Sequence, residues 1–292
     1  MRKHSSYFIA LFSMAAAAQV ASAADMPVKA PLPAAVATGG FFGSVTGGYF
    51  FDDPNRSIFI SPNNGGSGGV NCCGSGLGDG WGTRGMIGYR WSAWDIAVAL
   101  EYARLSQGKL NPSYSGSTLL HAPNGRYWAV DGELGYTVML GATKARLYAG
   151  PRYVSWTMHD ADQQTLPQFT FDVDSKGVGP RVGLALSGPF TANVGWMADG
   201  SVAWLWGDVR GTTGGIATPA SLTANPTIFN AEVRAGLEYL FATTSKFTVG
   251  YQAIFWKGAL PEFEYNGFSQ PLVGGRASTT NHGPFVRFSY GM

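Results

Sequence analysis

Apolar and polar residues alternate with a period of two through ten stretches of this chain. In Trp94–Tyr102 the residues Trp94, Ile96, Val98, Leu100 and Tyr102 share one face, and Asp95, Ala97, Ala99 and Glu101 share the other. That spacing is a β-strand with one greasy side and one small or charged side. The pattern predicts strands over about Phe41–Phe51, Trp81–Trp91, Trp94–Leu105, Arg126–Leu140, Lys144–Trp156, Phe171–Leu186, Phe190–Gly207, Thr227–Phe241, Lys246–Lys257 and His282–Tyr290. The links alternate short and long. An even strand count with alternating link lengths is the signature of an all-β, antiparallel transmembrane β-barrel with short periplasmic turns and long outer loops; eight or twelve strands fit the same spacing. Lipid would lie outside and a polar lumen inside, with no apolar core.

The amino terminus supports that placement. Arg2 and Lys3 precede an apolar run from Tyr7 to Val20, and Ala21-Ser22-Ala23 is an A-x-A cleavage site. Residues 1–23 read as a signal peptide, with an uncleaved anchor as the alternative. The Pro/Ala-rich residues 24–40 read as a disordered periplasmic lead-in, and 41–292 as the barrel. No later apolar run is long enough for a membrane helix. The expected location is the outer membrane of a Gram-negative cell.

Composition refines this picture. Gly reaches 41 residues and aromatics 14%, while only 13% of residues are charged, well below soluble proteins. Of the 20 Lys and Arg, Arg2 and Lys3 lie in the signal, leaving 18 against 18 acids, and this neutrality argues against a nucleic-acid partner. The adjacent Cys72 and Cys73, in a Gly/Asn/Ser-rich stretch, cannot staple a fold. They read as an incidental loop feature, with a vicinal disulfide or a modified pair as alternatives.

Strand parity gives the chemistry of the lumen. The inward, pore-lining ionisable residues are Arg84, Arg90, Asp95, Glu101, Asp131, Glu133, Arg146, Arg152, Arg181, Asp199, Glu232, Arg234, Glu238 and Arg287. No inward Lys falls in a strand interior. A two-residue turn at Ser92-Ala93 sets Trp91 opposite Trp94, Arg90 opposite Asp95 and Arg84 opposite Glu101. A turn near Gly141 sets Arg152 opposite Asp131 or Glu133. Two readings follow. Acids on the third and fourth strands facing arginines on the fifth and sixth would make a pore with a transverse field, passing small hydrophilic solutes or ions. The same charges could instead fill a narrow barrel as an ion-pair network, giving a plugged structural or adhesive protein. Outward aromatics Trp91, Trp94, Tyr136, Phe241, Phe247 and Tyr290 should ring the periplasmic edge, and Trp81, Trp128, Tyr153, Trp204 and Trp206 the outer edge.

Other chemistry is sparse. Past the signal the histidines are His121, His159 and His282, in or beside outer loops. His159 beside Asp160, with Asp52-Asp53 in another loop, raises a surface hydrolase as a third reading; the pairing reads as incidental and the chain as non-enzymatic. No phosphate loop or clustered metal ligands occur, so no cofactor is expected. In Gly283–Met292 the residues Val286, Phe288, Tyr290 and Met292 share the lipid face, like the terminal signal read by barrel-assembly machinery. The expected partners are that machinery, outer-membrane lipid and lipopolysaccharide.

The segments Gly177-Val178-Gly179-Pro180-Arg181-Val182-Gly183-Leu184, Asn230-Ala231-Glu232-Val233-Arg234-Ala235-Gly236-Leu237 and Gly283-Pro284-Phe285-Val286-Arg287-Phe288 resemble the Legionella-type major outer membrane protein family. The resemblance runs from about Phe41 to Met292. The start Ala24–Pro31 is similar to small outer-membrane proteins of rhizobia-like bacteria. The family resemblance implies a pore-forming barrel and no catalytic residues.

Overall fold

The computed structural model describes residues 39–51, 59–60, 79–106, 124–162, 169–214, 220–265 and 271–291. The segment 1–23 expected as a signal peptide, nearly all of the expected lead-in 24–40, Asp52-Asp53, Cys72-Cys73 and His121 lie outside them. Twelve strands occur in chain order: β1 (Gly40–Phe50), β2 (Phe59–Ile60), β3 (Gly80–Trp91), β4 (Trp94–Leu105), β5 (Asn124–Leu140), β6 (Thr143–Asp162), β7 (Phe169–Pro189), β8 (Val194–Gly214), β9 (Ala220–Ala224), β10 (Thr227–Ala242), β11 (Ser245–Tyr265) and β12 (Pro271–Tyr290). Ten of them form a closed antiparallel ring, β1-β3-β4-β5-β6-β7-β8-β10-β11-β12, which shuts where β1 pairs β12, for example Val45 with Phe288. The short β2 and β9 are additions: β2 runs parallel to β11, and β9 pairs antiparallel with the outer end of β8, beyond its pairing with β10. Closure at the level of the apolar band leaves no strand edge facing lipid.

Tight turns set the register. Trp91 pairs Trp94 across Ser92-Ala93, where Ser92 takes a left-handed φ of 56°. Leu140 pairs Thr143 across Gly141-Ala142, with Gly141 at φ 64°. These are the positive-φ conformations that two-residue hairpins need. The strand predicted to start at Phe190 begins at Val194 instead. Phe190–Asn193 form a turn in which the Phe190 and Thr191 N–H groups both donate to Val194 O, at 2.8 and 2.9 Å.

The strands β6, β7, β8, β11 and β12 reach 20 or 21 residues, against 11 or 12 in β1, β3 and β4. Much of what sequence periodicity left as loop, Thr157–Thr170 and Gly258–Asn281, is therefore paired strand. The reason lies in an inversion of polarity along each strand. Near the tight turns the outward residues are apolar, such as Val98, Leu134 and Val249, all about half exposed or more. Farther out the outward residues become polar: Tyr102 is followed by Arg104, Trp206 by Asp208 and Phe255 by Lys257, and in the reverse direction Trp128 is preceded by Arg126. Beyond that level the inward residues are apolar instead. Phe50, Leu105, Tyr127, Val154, Trp156, Met158, Leu205, Ile228, Ile254 and Trp256 form one buried cluster. The expectation of a barrel without an apolar core thus fails in its outer part. There water replaces lipid, and the sheet closes around a hydrophobic interior as a soluble barrel does.

The aromatics assigned to the two edges are outward-facing. Trp94 packs on Tyr136 with ring centroids 4.8 Å apart near the turns. Trp81 packs on Tyr102 at 5.5 Å and Trp128 on Tyr153 at 5.0 Å on the far side. They bracket the apolar band that faces lipid.

Candidate functional site

The lumen at the level of the lipid band is built from inward side chains of all ten ring strands. The structure places Arg84, Asp95, Glu101, Asp131, Glu133, Arg146, Arg152, Arg181, Glu232 and Arg234 buried inside the barrel, and Arg90, Asp199, Glu238 and Arg287 half-buried there. Small inward neighbours such as Ala97, Ala99 and Ala129 leave room for the long guanidinium arms. Gly135 does the same locally, since a Cβ there would stand 2.5 Å from Asp95 Oδ1 and 2.6 Å from Arg146 Nε.

Four carboxylates each serve three arginines. Glu101 lies 3.1 Å from Arg84 and 3.6 Å from both Arg152 and Arg234. Asp131 lies 2.7, 3.5 and 3.4 Å from Arg84, Arg152 and Arg181. Glu133 lies 3.1, 2.9 and 2.8 Å from Arg84, Arg146 and Arg181. Glu232 lies 2.5, 3.5 and 3.2 Å from Arg152, Arg181 and Arg234. Arg146 also grips Asp95 through Nε and Nη2, at 2.6 to 3.0 Å. Two phenols complete the lattice: Tyr127 donates to Glu101 Oε1 at 2.7 Å and Tyr148 to Asp199 Oδ1 at 2.8 Å. Around Arg152 and Glu232 the contact is one of charge and distance, without aligned hydrogen bonds among the described residues.

This arrangement corrects two expectations. Arg90 and Asp95 share a register position, but Asp95 is taken by Arg146. The Arg90 guanidinium lies over the Phe42 ring at 5.1 Å instead. Nor do acids and arginines form opposed walls. In a ring this narrow the arms cross the lumen and interleave, so no transverse field spans open space. Lys144 and Lys246 also face inward at the turn end of their strands, where Lys246 meets Glu238 at 3.1 Å. A cavity of about 210 Å³ opens there, lined by Lys144, Pro189, Asn193, Glu238, Leu240 and Lys246 among others.

Above the ion lattice sits the aromatic layer. Tyr127, Trp156 and Trp256 contact one another with centroids 4.5 to 5.5 Å apart, and Arg152 lies 5.5 Å over the Trp256 ring. Parity from Asp131 and Arg152 puts Tyr127 and Trp156 inward, a signal carried by strand spacing that an inventory of ionisable side chains does not include. At mid-height every ring strand contributes a sealed lumenal residue: Thr46, Arg84, Glu101, Asp131, Arg152, Arg181, Ser201, Glu232, Gln252 and Phe285, none more than 8% exposed.

On the outer rim His159 contacts Asp172 across β6 and β7, with both side chains exposed. His282 pairs with Tyr251 at 2.6 Å. No group of three or more His, Cys, Asp or Glu with metal-ligand geometry occurs among the described residues.

Among solved structures the chain is similar to the outer membrane protease OmpT from Escherichia coli, at 10% identity and a TM-score of 0.48, covering 87% of this chain and 95% of that one. It is also similar to a major outer membrane protein from Thermus thermophilus, at 10% identity and a TM-score of 0.42, covering 86% and 99%. Neisserial surface protein A matches at 12% identity and a TM-score of 0.31, covering 87% and 99%. No curated protein matches. The profile described as Legionella pneumophila major outer membrane protein precursor matches residues 80–292. With its closed barrel and lipid-facing band, the chain is an integral outer-membrane protein and belongs to this family.

Proposed function

We propose that this protein is a sealed outer-membrane barrel with a structural role, and that its lumen does not conduct at rest. The supporting observation is the ring of inaccessible lumenal residues at mid-height, one from each barrel strand. Opening a path there would part several buried ion pairs, each costing about 3–5 kcal/mol when one partner is lost. Planar-bilayer recording of purified, folded protein tests the reading. Near-zero conductance is expected, and stable single channels in well-folded protein would overturn it.

A second reading, a pore for small hydrophilic solutes or ions, draws on the charged lumen and on the cavity between Lys144 and Lys246. It requires the Tyr127–Trp156–Trp256 layer to move aside. Opposed walls are not available to guide solutes, so selectivity would come from the cationic mouth. Both readings are non-enzymatic; a hydrolase reading would begin at the His159–Asp172 pair, which stands exposed on the outward surface. Assays for peptide hydrolysis should show none.

A further inference from the structure

One row of cross-strand partners on the outer surface runs Tyr49, Trp81, Arg104, Arg126, Thr157, Asp174, Arg210. At the far end of this row charges alternate, with Asp174 opposite Arg210. One rung away Lys176 stands opposite Asp208, and His159 opposite Asp172. At its centre, however, Arg104 stands directly opposite Arg126. Both are exposed. Residues facing each other across strands have Cβ atoms about 5 Å apart, and like charges so placed repel.

The described residues do not relieve that repulsion. Arg126 Nε donates to Thr157 Oγ1 at 2.7 Å. Arg104 makes no ion pair or side-chain hydrogen bond among them. Among the described residues the pair is therefore a site short of an anion. Its height on the barrel identifies which anion. Arg104 follows Tyr102 by two residues and Arg126 precedes Trp128 by two, so both guanidinium groups extend just beyond the outer aromatic girdle of Trp81, Tyr102, Trp128 and Tyr153. Aromatic girdles sit at head-group level. Here the outward face changes from apolar to polar.

We propose that Arg104 and Arg126 clamp a phosphate group carried by a glycolipid of the outer leaflet, with Trp81 packing against the lipid beside it. Two planar guanidinium forks match phosphate oxygens in shape and charge. The proposal does not depend on whether the lumen conducts.

The test uses full-length protein refolded in detergent, monitored by the temperature at which the compact, detergent-resistant band is lost on electrophoresis. A phosphorylated lipid A-type glycolipid should raise that temperature in the native protein. The dephosphorylated glycolipid and inorganic phosphate at equal concentration should leave it unchanged. In R104Q/R126Q the rise should vanish, and in R210Q, where the arginine faces Asp174, it should persist. R104Q alone should lose part of the rise, which keeps the test readable where the double variant does not refold. An equal rise with dephosphorylated lipid, a rise with inorganic phosphate alone, or a full rise in R104Q would each overturn the clamp.

Discussion

Glu133 lies 2.8 to 3.1 Å from three guanidinium groups on three different strands, β3, β6 and β7. A carboxylate so shared ties the ring together across its middle as well as along its wall. Arg152 is the counterpart: it is fully buried and faces Glu232, Asp131 and Glu101 at once. Truncating it leaves three buried carboxylates short of a cation, so Arg152→Ala should lower unfolding stability by about 3–5 kcal/mol. Urea unfolding in detergent measures this, and a loss within experimental error would show that the lattice does not depend on Arg152. Gly135→Ala acts through space: its Cβ would press on both Asp95 and Arg146, which are already in contact. We expect destabilisation of about 1–3 kcal/mol from the crowding, and removal of the carboxylate in Asp95→Ala should make the same glycine substitution milder. The side of the sheet on which each of these residues lies follows from parity in the sequence. Which acid serves which arginine does not, because partners such as Arg146 and Asp95 are 51 positions apart and meet over the intervening strand β5. Neighbouring-strand register alone paired Asp95 with Arg90.

The strands themselves show where sequence is informative and where it fades. In β4 the alternation persists from Trp94 to Leu105, because lipid presses on Ile96, Val98 and Leu100 while Ala97, Ala99 and Glu101 face the lumen. Strands two to four of the barrel were accordingly legible nearly to the residue. In β7 the outward set near the membrane includes Val178 and Val182, whereas farther out it is Asp172, Asp174 and Lys176. The sign of the pattern flips at the girdle. Read for one polarity only, β6 to β8 and β11 to β12 end too early, and the cluster of Trp156, Leu205 and Trp256 is missed. The lipid-facing assignment has a direct test. Val98 is 51% exposed at the middle of β4, between lumenal Ala97 and Ala99. Val98→Arg should cost roughly 2–4 kcal/mol for folding into lipid vesicles, the penalty of an arginine at the bilayer midplane. If V98R folds as readily as the native chain, that face of β4 does not meet lipid.

At the scale of the whole molecule, two seals lie in series. The aromatic layer of Tyr127, Trp156 and Trp256 stands above the girdle, and the arginine–carboxylate lattice stands within the lipid band. Ring closure by ten strands was legible from strand count and link lengths; the sealing was not, because parity says which side chains enter the lumen and not how far they reach across it. Large side chains, five arginines with Tyr127, Tyr148, Trp156 and Trp256, fill a ring slightly wider than the eight-stranded barrels that side chains just fill. Seals in series predict a specific pattern of conductance. Trp256→Ala removes the ring against which Arg152 packs and opens the upper layer, but ions still meet the lattice, so current should stay near zero. Arg152→Ala loosens the lattice while the tryptophans still block the path, and current should again stay near zero. The combined variant removes adjoining parts of both layers, and channels should then appear in planar bilayers, provided electrophoresis shows a folded barrel. Conductance already present in Trp256→Ala alone would mean that the ion lattice is permeable, and that the aromatic layer is the only gate.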